Sequence, residues 1–191
     1  MNVTEEKALL RSSIRALRRA LTEDERAAAA ETVANKILSI KEILEAEYIL
    51  AYMPMKYELD ILPAVKMLRE LNKKIAFPLC VENGGLKLYI PQKENGFVTG
   101  AYGILEPDAN TAEEIPFGSI DTVILPAIGF DKDLNRLGQG GGYYDRLLSK
   151  TDCFTLAVGF DCQLVGSVPT ESTDKKVDAI VTPNMTILSV K

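Results

Sequence analysis

Between Asp131 and Arg146 the chain reads DKDLNRLGQGGGYYDR, which brings four glycines, two arginines, two tyrosines and the carboxylate of Asp145 into one short passage. The apolar run Ile124 to Phe130 precedes it and reads as a buried strand; YYDRLLSK follows it, with Tyr144, Leu147 and Leu148 on one helical face. This order puts Gly138, Gly140, Gly141 and Gly142 at a strand-to-helix turn. There glycine can adopt positive φ and leave backbone N–H groups uncovered toward an anion. Arg136 adds a guanidinium whose fork matches phosphate oxygens. Asp145 suits either the first turn of a helix or a magnesium ion, which takes few carboxylates and completes its shell with water and phosphate. On glycine spacing alone, a structural turn is an equal reading. The dinucleotide fingerprint lacks its third glycine, and a Walker loop would need Lys followed by Ser or Thr.

The chain has no histidine. That removes the usual general base, the Ser-His-Asp and Cys-His arrangements and the imidazole ligands of most catalytic zinc sites. Phosphoryl transfer suits the groups that remain, because it depends on positioning and charge neutralisation. Cys80, Cys153 and Cys162 form no Cys-x-x-Cys and read as free thiols of a reducing cytoplasm. With 191 residues, 47% apolar and 26% charged, the chain reads as one soluble globular domain spanning 1–191. A net charge of -5 gives no basic field for nucleic acid. No apolar run approaches the roughly 20 residues that span a bilayer. Glu5 and Glu6 argue against an organelle presequence in the basic amino-terminal segment.

The elements that must position these residues follow from periodicity. Thr4 is expected to cap a first helix with an apolar stripe of Leu10, Ile14, Leu17 and Leu21. Thr22 with Glu25 forms a capping box for a second helix ending near Ile40, antiparallel to the first. Ala46 to Met53 reads as a strand, Asp60 as the cap of a helix with Ile61, Val65 and Leu68 inward, and Lys74 to Leu79 as the next strand. Strand, helix, strand implies a parallel sheet. Gly85 to Pro91 adds a strand, Gln92 to Ile120 reads as irregular cover, Gly142 to Lys150 as a helix and Phe154 to Phe160 as a strand. Ala179 to Val190 reads as a terminal strand pair broken at Pro183-Asn184. The fold class is α/β, a mainly parallel central sheet flanked by helices, whose ligands collect outside the carboxyl ends of strands.

Taken whole, the string Leu125 to Asp131 and Asn135 to Asp145 resembles the signature of the 5-formyltetrahydrofolate cyclo-ligase family. Four further segments match in the family's order: Lys7 and Arg11; Tyr52 to Glu58 with Asp60; Tyr102 to Pro107; and Val168 to Thr182. The resemblance implies a fold of the NagB/RpiA/CoA-transferase-like type. It also implies ATP- and Mg²⁺-dependent conversion of 5-formyltetrahydrofolate, or its polyglutamates, to 5,10-methenyltetrahydrofolate by a monomer or weak homodimer.

The same resemblance assigns residues. Lys7 and Arg11 would touch ATP phosphates, although a basic row at helical spacing is by itself usually solvated surface; Arg15 and Arg18 receive no such role. Arg136, Leu137, Gly138, Gln139, Gly140, Gly141, Gly142, Tyr143 and Tyr144 would bind nucleotide, with Arg136, Tyr143 and Asp145 nearest the chemistry. Met53, Glu58, Gln139 to Gly142 and Tyr143 would bind folate, Glu58 through the amino-imino edge of the pterin. Asp145 and Asp174 would hold magnesium, with Asp178 a rival, and core packing is the expected role of Tyr144. Gln139 and Gly141 stand where some members carry Arg and Lys, which implies weaker affinity for nucleotide or polyglutamate. An isomerase or acyl-CoA enzyme of similar fold, and a binding regulator without turnover, are the competing classes.

Overall fold

In the computed structural model, which describes residues 2–81, 85–93, 96–100, 103–149 and 151–189, the chain opens on helix α1 (Val3–Ala20). Its cap is Asn2, not Thr4. Asn2 Oδ1 accepts the Glu5 N–H at 2.9 Å, and Glu5 Oε2 accepts the Asn2 N–H at 3.2 Å. The capping box thus begins two residues before Thr4. The buried stripe also differs from the expected one: α1 buries Lys7, Ile14 and Arg18, whereas Leu17 is 52% exposed. The helix faces a polar cavity instead of a wholly apolar core.

Thr22 and Glu25 cap α2 (Glu23–Ile37) as expected, and a short α3 (Lys41–Glu45) follows. The two opening helices pack mainly on other elements: α2 on α4 (Leu62–Glu70), and α1 on a 3-10 turn at Asp161–Gln163. Ile61, Val65 and Leu68 are buried at α4 as the periodicity required. The Asp60 carboxylate accepts the Leu62 N–H at 2.9 Å.

The strands are β1 (Tyr48–Leu50), β2 (Lys74–Val81), β3 (Gly85–Ile90), β4 (Phe97–Thr99), β5 (Leu105–Pro107), β6 (Glu113–Ile115), β7 (Thr122–Pro126), β8 (Gly129–Phe130), β9 (Arg136–Leu137), β10 (Phe154–Val158), β11 (Ala179–Val181) and β12 (Thr186–Leu188), with helix α5 (Tyr143–Leu148) between β9 and β10. Eight of them form one sheet in the order β12-β11-β10-β7-β1-β2-β3-β6. Its centre, β11 to β2, is parallel, and β12, β3 and β6 add antiparallel edges. Both faces are covered, so successive residues alternate between two cores: Ile49, Ile124 and Leu156 face one, and Leu50, Leu125 and Ala157 the other. That double burial explains the unbroken apolar runs in the sequence.

Two expectations change. Ile124 to Phe130 is two strands, because the parallel ladder stops at Pro126 and the chain turns into the β8–β9 hairpin. Gln92 to Ile120 is not all irregular: β4 and β5 pair, and β6 extends the sheet. Three-residue strands are too short to print a period-2 pattern. Tyr102, Lys150 and Val190, assigned above to a matched segment, a helix and a strand, lie outside the described residues.

From β1 the sheet winds one way to β2, and from β7 the other way to β10 and β11. The reversal between neighbouring β1 and β7 leaves a crevice beyond their carboxyl ends, where open α/β sheets take ligands.

Candidate active site

A cavity of about 770 Å³ lies at that crevice, with Tyr52 and Met53 arriving from β1 and Pro126 from β7. The glycine bend forms one wall and α1 another. Lys7, Arg11, Met53, Glu58, Arg136 to Asp145 and Asp174 all reach it.

The bend is more economical than four glycines suggested. Only Gly140 (φ 104°) and Gly142 (φ 63°) use the left-handed region, and Gly142 is the amino-terminal cap of α5. A side chain at Gly141 would meet the Tyr143 ring at 2.9 Å, so that glycine lets the ring lie against the backbone. Because α5 has only six residues, its macrodipole is short, and the exposed N–H groups matter more than the helix end. The bend is anchored from α1: Arg11 Nε donates to the Gly138 carbonyl at 2.8 Å, and an Arg15 nitrogen donates to Gln139 Oε1 at 2.9 Å. Gln139 passes the connection on, donating to Glu58 Oε1 at 3.1 Å, while Glu58 Oε2 accepts the Met55 N–H at 3.1 Å.

Charges are arranged as cation–carboxylate contacts. An Arg136 nitrogen lies 2.9 Å from Asp145 Oδ1, with the arginine side chain only 2% exposed. Arg136 Nε, also buried, has no hydrogen-bond partner among the described residues. Lys7 Nζ lies 2.6 Å from Asp174 and 2.8 Å from Glu171. Burial opposes the charged form of Lys7, but the hydrogen bonds to Asp174 and Glu171 outweigh it and raise its pKa above 10.5. Burial likewise opposes the Asp174 carboxylate, and the hydrogen bonds from Lys7 and the Glu171 N–H hold it below its ordinary 3.8.

Asp145 and Asp174 thus share a cavity, each bonded to a cation. Among the described residues no group of three or more His, Cys, Asp or Glu could hold a metal. That donor set fits an ion which relies on phosphate oxygens and water for most of its shell. Asp178 is elsewhere: its Oδ2 accepts the Thr155 N–H and hydroxyl, tying β11 to β10. Half-buried Tyr144 packs against the core while also lining the cavity, and burial, then the Glu58 charge, pushes its phenol pKa up.

Several residues had gone unassigned. Glu171 shares Lys7 with Asp174 from 164 positions away, a pairing no local pattern signals. Arg18 is buried with one nitrogen 3.4 Å from the Ala127 carbonyl; its position eleven residues after Lys7, on the same helix face, was the available clue. Asp131 accepts four hydrogen bonds, from the Asp133, Asn135 and Val168 N–H groups and the Asn135 side chain, and so fixes the hairpin that delivers Arg136. Cys80 and Glu106 add a further wall from β2 and β5. All three cysteines are free.

Residues 3–183 match the model of the 5-formyltetrahydrofolate cyclo-ligase family. The chain belongs to that family. It is 32% identical over 178 residues to the 5-formyltetrahydrofolate cyclo-ligase of Escherichia coli (strain K12), a match covering 90% of this chain and 97% of the relative. The cyclo-ligase of Haemophilus influenzae is 30% identical over 183 residues, covering 90% and 94% of the two chains. The solution structure of Aquifex aeolicus 5,10-methenyltetrahydrofolate synthetase superposes with a TM-score of 0.85 at 30% identity, over 95% of this chain and 92% of that one. A Mycoplasma pneumoniae 5,10-methenyltetrahydrofolate synthetase, 21% identical, shares the fold with a TM-score of 0.76. The protein is therefore an enzyme of a ligase family. No helix among the described residues is long and apolar enough to cross a membrane.

Proposed function

We propose that this protein closes 5-formyltetrahydrofolate, or its polyglutamates, to 5,10-methenyltetrahydrofolate while ATP is cleaved to ADP and phosphate. The observation that carries this reading is that Glu58, the glycine bend and the Arg136–Asp145 pair line one cavity. A pteridine and a triphosphate can therefore meet there.

Glu58 offers two carboxylate oxygens to the amino-imino edge of the pterin once the Gln139 amide gives way. Met53 and the Tyr143 ring supply apolar area beside it. The bend and Arg136 face the transferring phosphoryl group, whose oxygens match the guanidinium fork. Lys7 and Arg11 meet the triphosphate from α1. A magnesium ion held by Asp145 and Asp174 would neutralise phosphate charge as it develops.

A formyl oxygen is a poor leaving group until it is phosphorylated. It takes the γ-phosphoryl group and ADP departs. The N10 lone pair then attacks the formyl carbon, the carbon–oxygen bond to phosphate breaks, and N10 releases its proton. The nucleophile belongs to the substrate, which is why a chain without histidine suffices.

Purified protein mixed with Mg²⁺, ATP and 5-formyltetrahydrofolate is expected to raise the near-ultraviolet absorbance of the methenyl product, with one ADP per turnover. No rise from folded protein, or a rise without ADP, contradicts the reading.

A further inference from the structure

Glu106 has no part in the chemistry above, yet it is a carboxylate 7% exposed on the wall of the same cavity. It points inward from β5. Pro78, Cys80, Leu86 and Leu105 line the same cavity, and none of them carries a positive charge. No Lys or Arg forms an ion pair with it among the described residues. The Cys80 N–H donates to Oε1 at 3.4 Å, longer than the usual range of about 2.7–3.2 Å. The thiol beside it brings no positive charge: burial, then the Glu106 charge and a hydrogen bond to that carboxylate, push the Cys80 pKa up.

The fold makes room for this group. A Cβ at Gly100 would lie 1.8 Å from Glu106 Oε2 and 2.4 Å from its carboxyl carbon, so the absence of a side chain there opens the slot in which the carboxylate lies. Burying a carboxylate against apolar groups without a cation is unfavourable. Among the described residues Cys80 donates to it and no cation pairs with it. Glu58, by contrast, has a donor on each oxygen.

We infer that Glu106 is a second substrate-recognising carboxylate, accepting an N–H of the reduced pteridine on the wall formed by β2 and β5, an inference that rests on the ring-closure reading. Glu58 and Glu106 together select a flat heterocycle that carries N–H donors on more than one edge.

The test uses the full chain, with 5-formyltetrahydrofolate affinity from calorimetry, MgATP affinity and thermal unfolding measured for wild type, Glu106→Leu and Glu106→Gln. Loss of a charged acceptor weakens folate binding by about 10- to 100-fold in Glu106→Leu. MgATP affinity stays within about twofold, and the free variant unfolds no earlier than wild type, because a buried carboxylate with no cation partner among the described residues has been replaced by an apolar group. Glu106→Gln keeps an acceptor oxygen and falls between the two; should the leucine variant not fold, it decides, with a weakening of at least about fivefold expected from loss of the charge. Folate affinity unchanged in the variants, or lower stability together with loss of both ligands, overturns the assignment. If wild type itself does not bind 5-formyltetrahydrofolate, the ring-closure reading falls as well.

Discussion

Lys7 and Asp174, 167 positions apart, meet with Nζ 2.6 Å from Oδ2 and so tie the first helix to the loop before β11 across the mouth of the cavity. The lysine is held in place before any phosphate arrives. Lys7→Ala is expected to raise the KM for ATP by about tenfold or more, the worth of a charged hydrogen bond, with a smaller change in the KM for folate. Steady-state kinetics with each substrate varied in turn separates the two effects. Equal KM values for wild type and variant would remove Lys7 from the nucleotide site.

Arg136 and Asp145 form the pair nearest the proposed transfer. Arg136→Ala and Asp145→Asn are expected to lower turnover by at least about 100-fold, as when one electrostatic stabiliser of a transition state is removed. Arg136→Lys should not restore it, because an ammonium cannot bond Asp145 and offer a second planar donor together. Turnover at the wild-type rate in any of these variants would show that the phosphoryl group lies elsewhere.

Gly129 is the place where α1 rests on β8. A Cβ there would come within 2.6 Å of Ile14 Cδ1 and 3.3 Å of the Gln163 carbonyl, and Ile14 is fully buried. Gly129→Ala is therefore expected to cost about 1–3 kcal/mol, as overpacking does, and to raise the KM for ATP by moving Lys7 and Arg11. Urea denaturation and kinetics together check this. Wild-type stability with wild-type kinetics would mean that the helix does not depend on that contact.

The capping box of α2 makes a pH prediction. Hydrogen bonds from the Thr22 backbone N–H and hydroxyl hold the Glu25 carboxyl below its ordinary 4.5. A lowered folded-state pKa gives stability that is present above pH 4.5 and is lost as pH falls through the folded value. The difference in urea midpoint between wild type and Glu25→Ala should accordingly be constant near neutrality and shrink in acid. A difference that grows as pH falls would contradict the assignment.

What the sequence disclosed depended on whether a feature was local. The glycine bend, Arg136 and Asp145 are contiguous, and β7, β10 and β11 are buried on both faces, so each left a mark in one short window. The capping box of Asn2 with Glu5 is equally local. The contacts of Lys7 with Glu171 and Asp174 could not be read this way, since tertiary folding alone brings them together. Arg18 left a weaker trace: its spacing put it on the Lys7 face, but its burial against the Ala127 carbonyl comes from tertiary packing. Three-residue strands such as β4 and β6 carry too few residues for any period to show.

The transfer of the formyl oxygen to phosphate tests the account most directly. With 5-formyltetrahydrofolate carrying ¹⁸O in the formyl group and unlabelled ATP, a single turnover followed by mass spectrometry of the released phosphate should find one ¹⁸O per phosphate. Methenyl product formed with the label in water and none in phosphate would contradict phosphorylation of that oxygen.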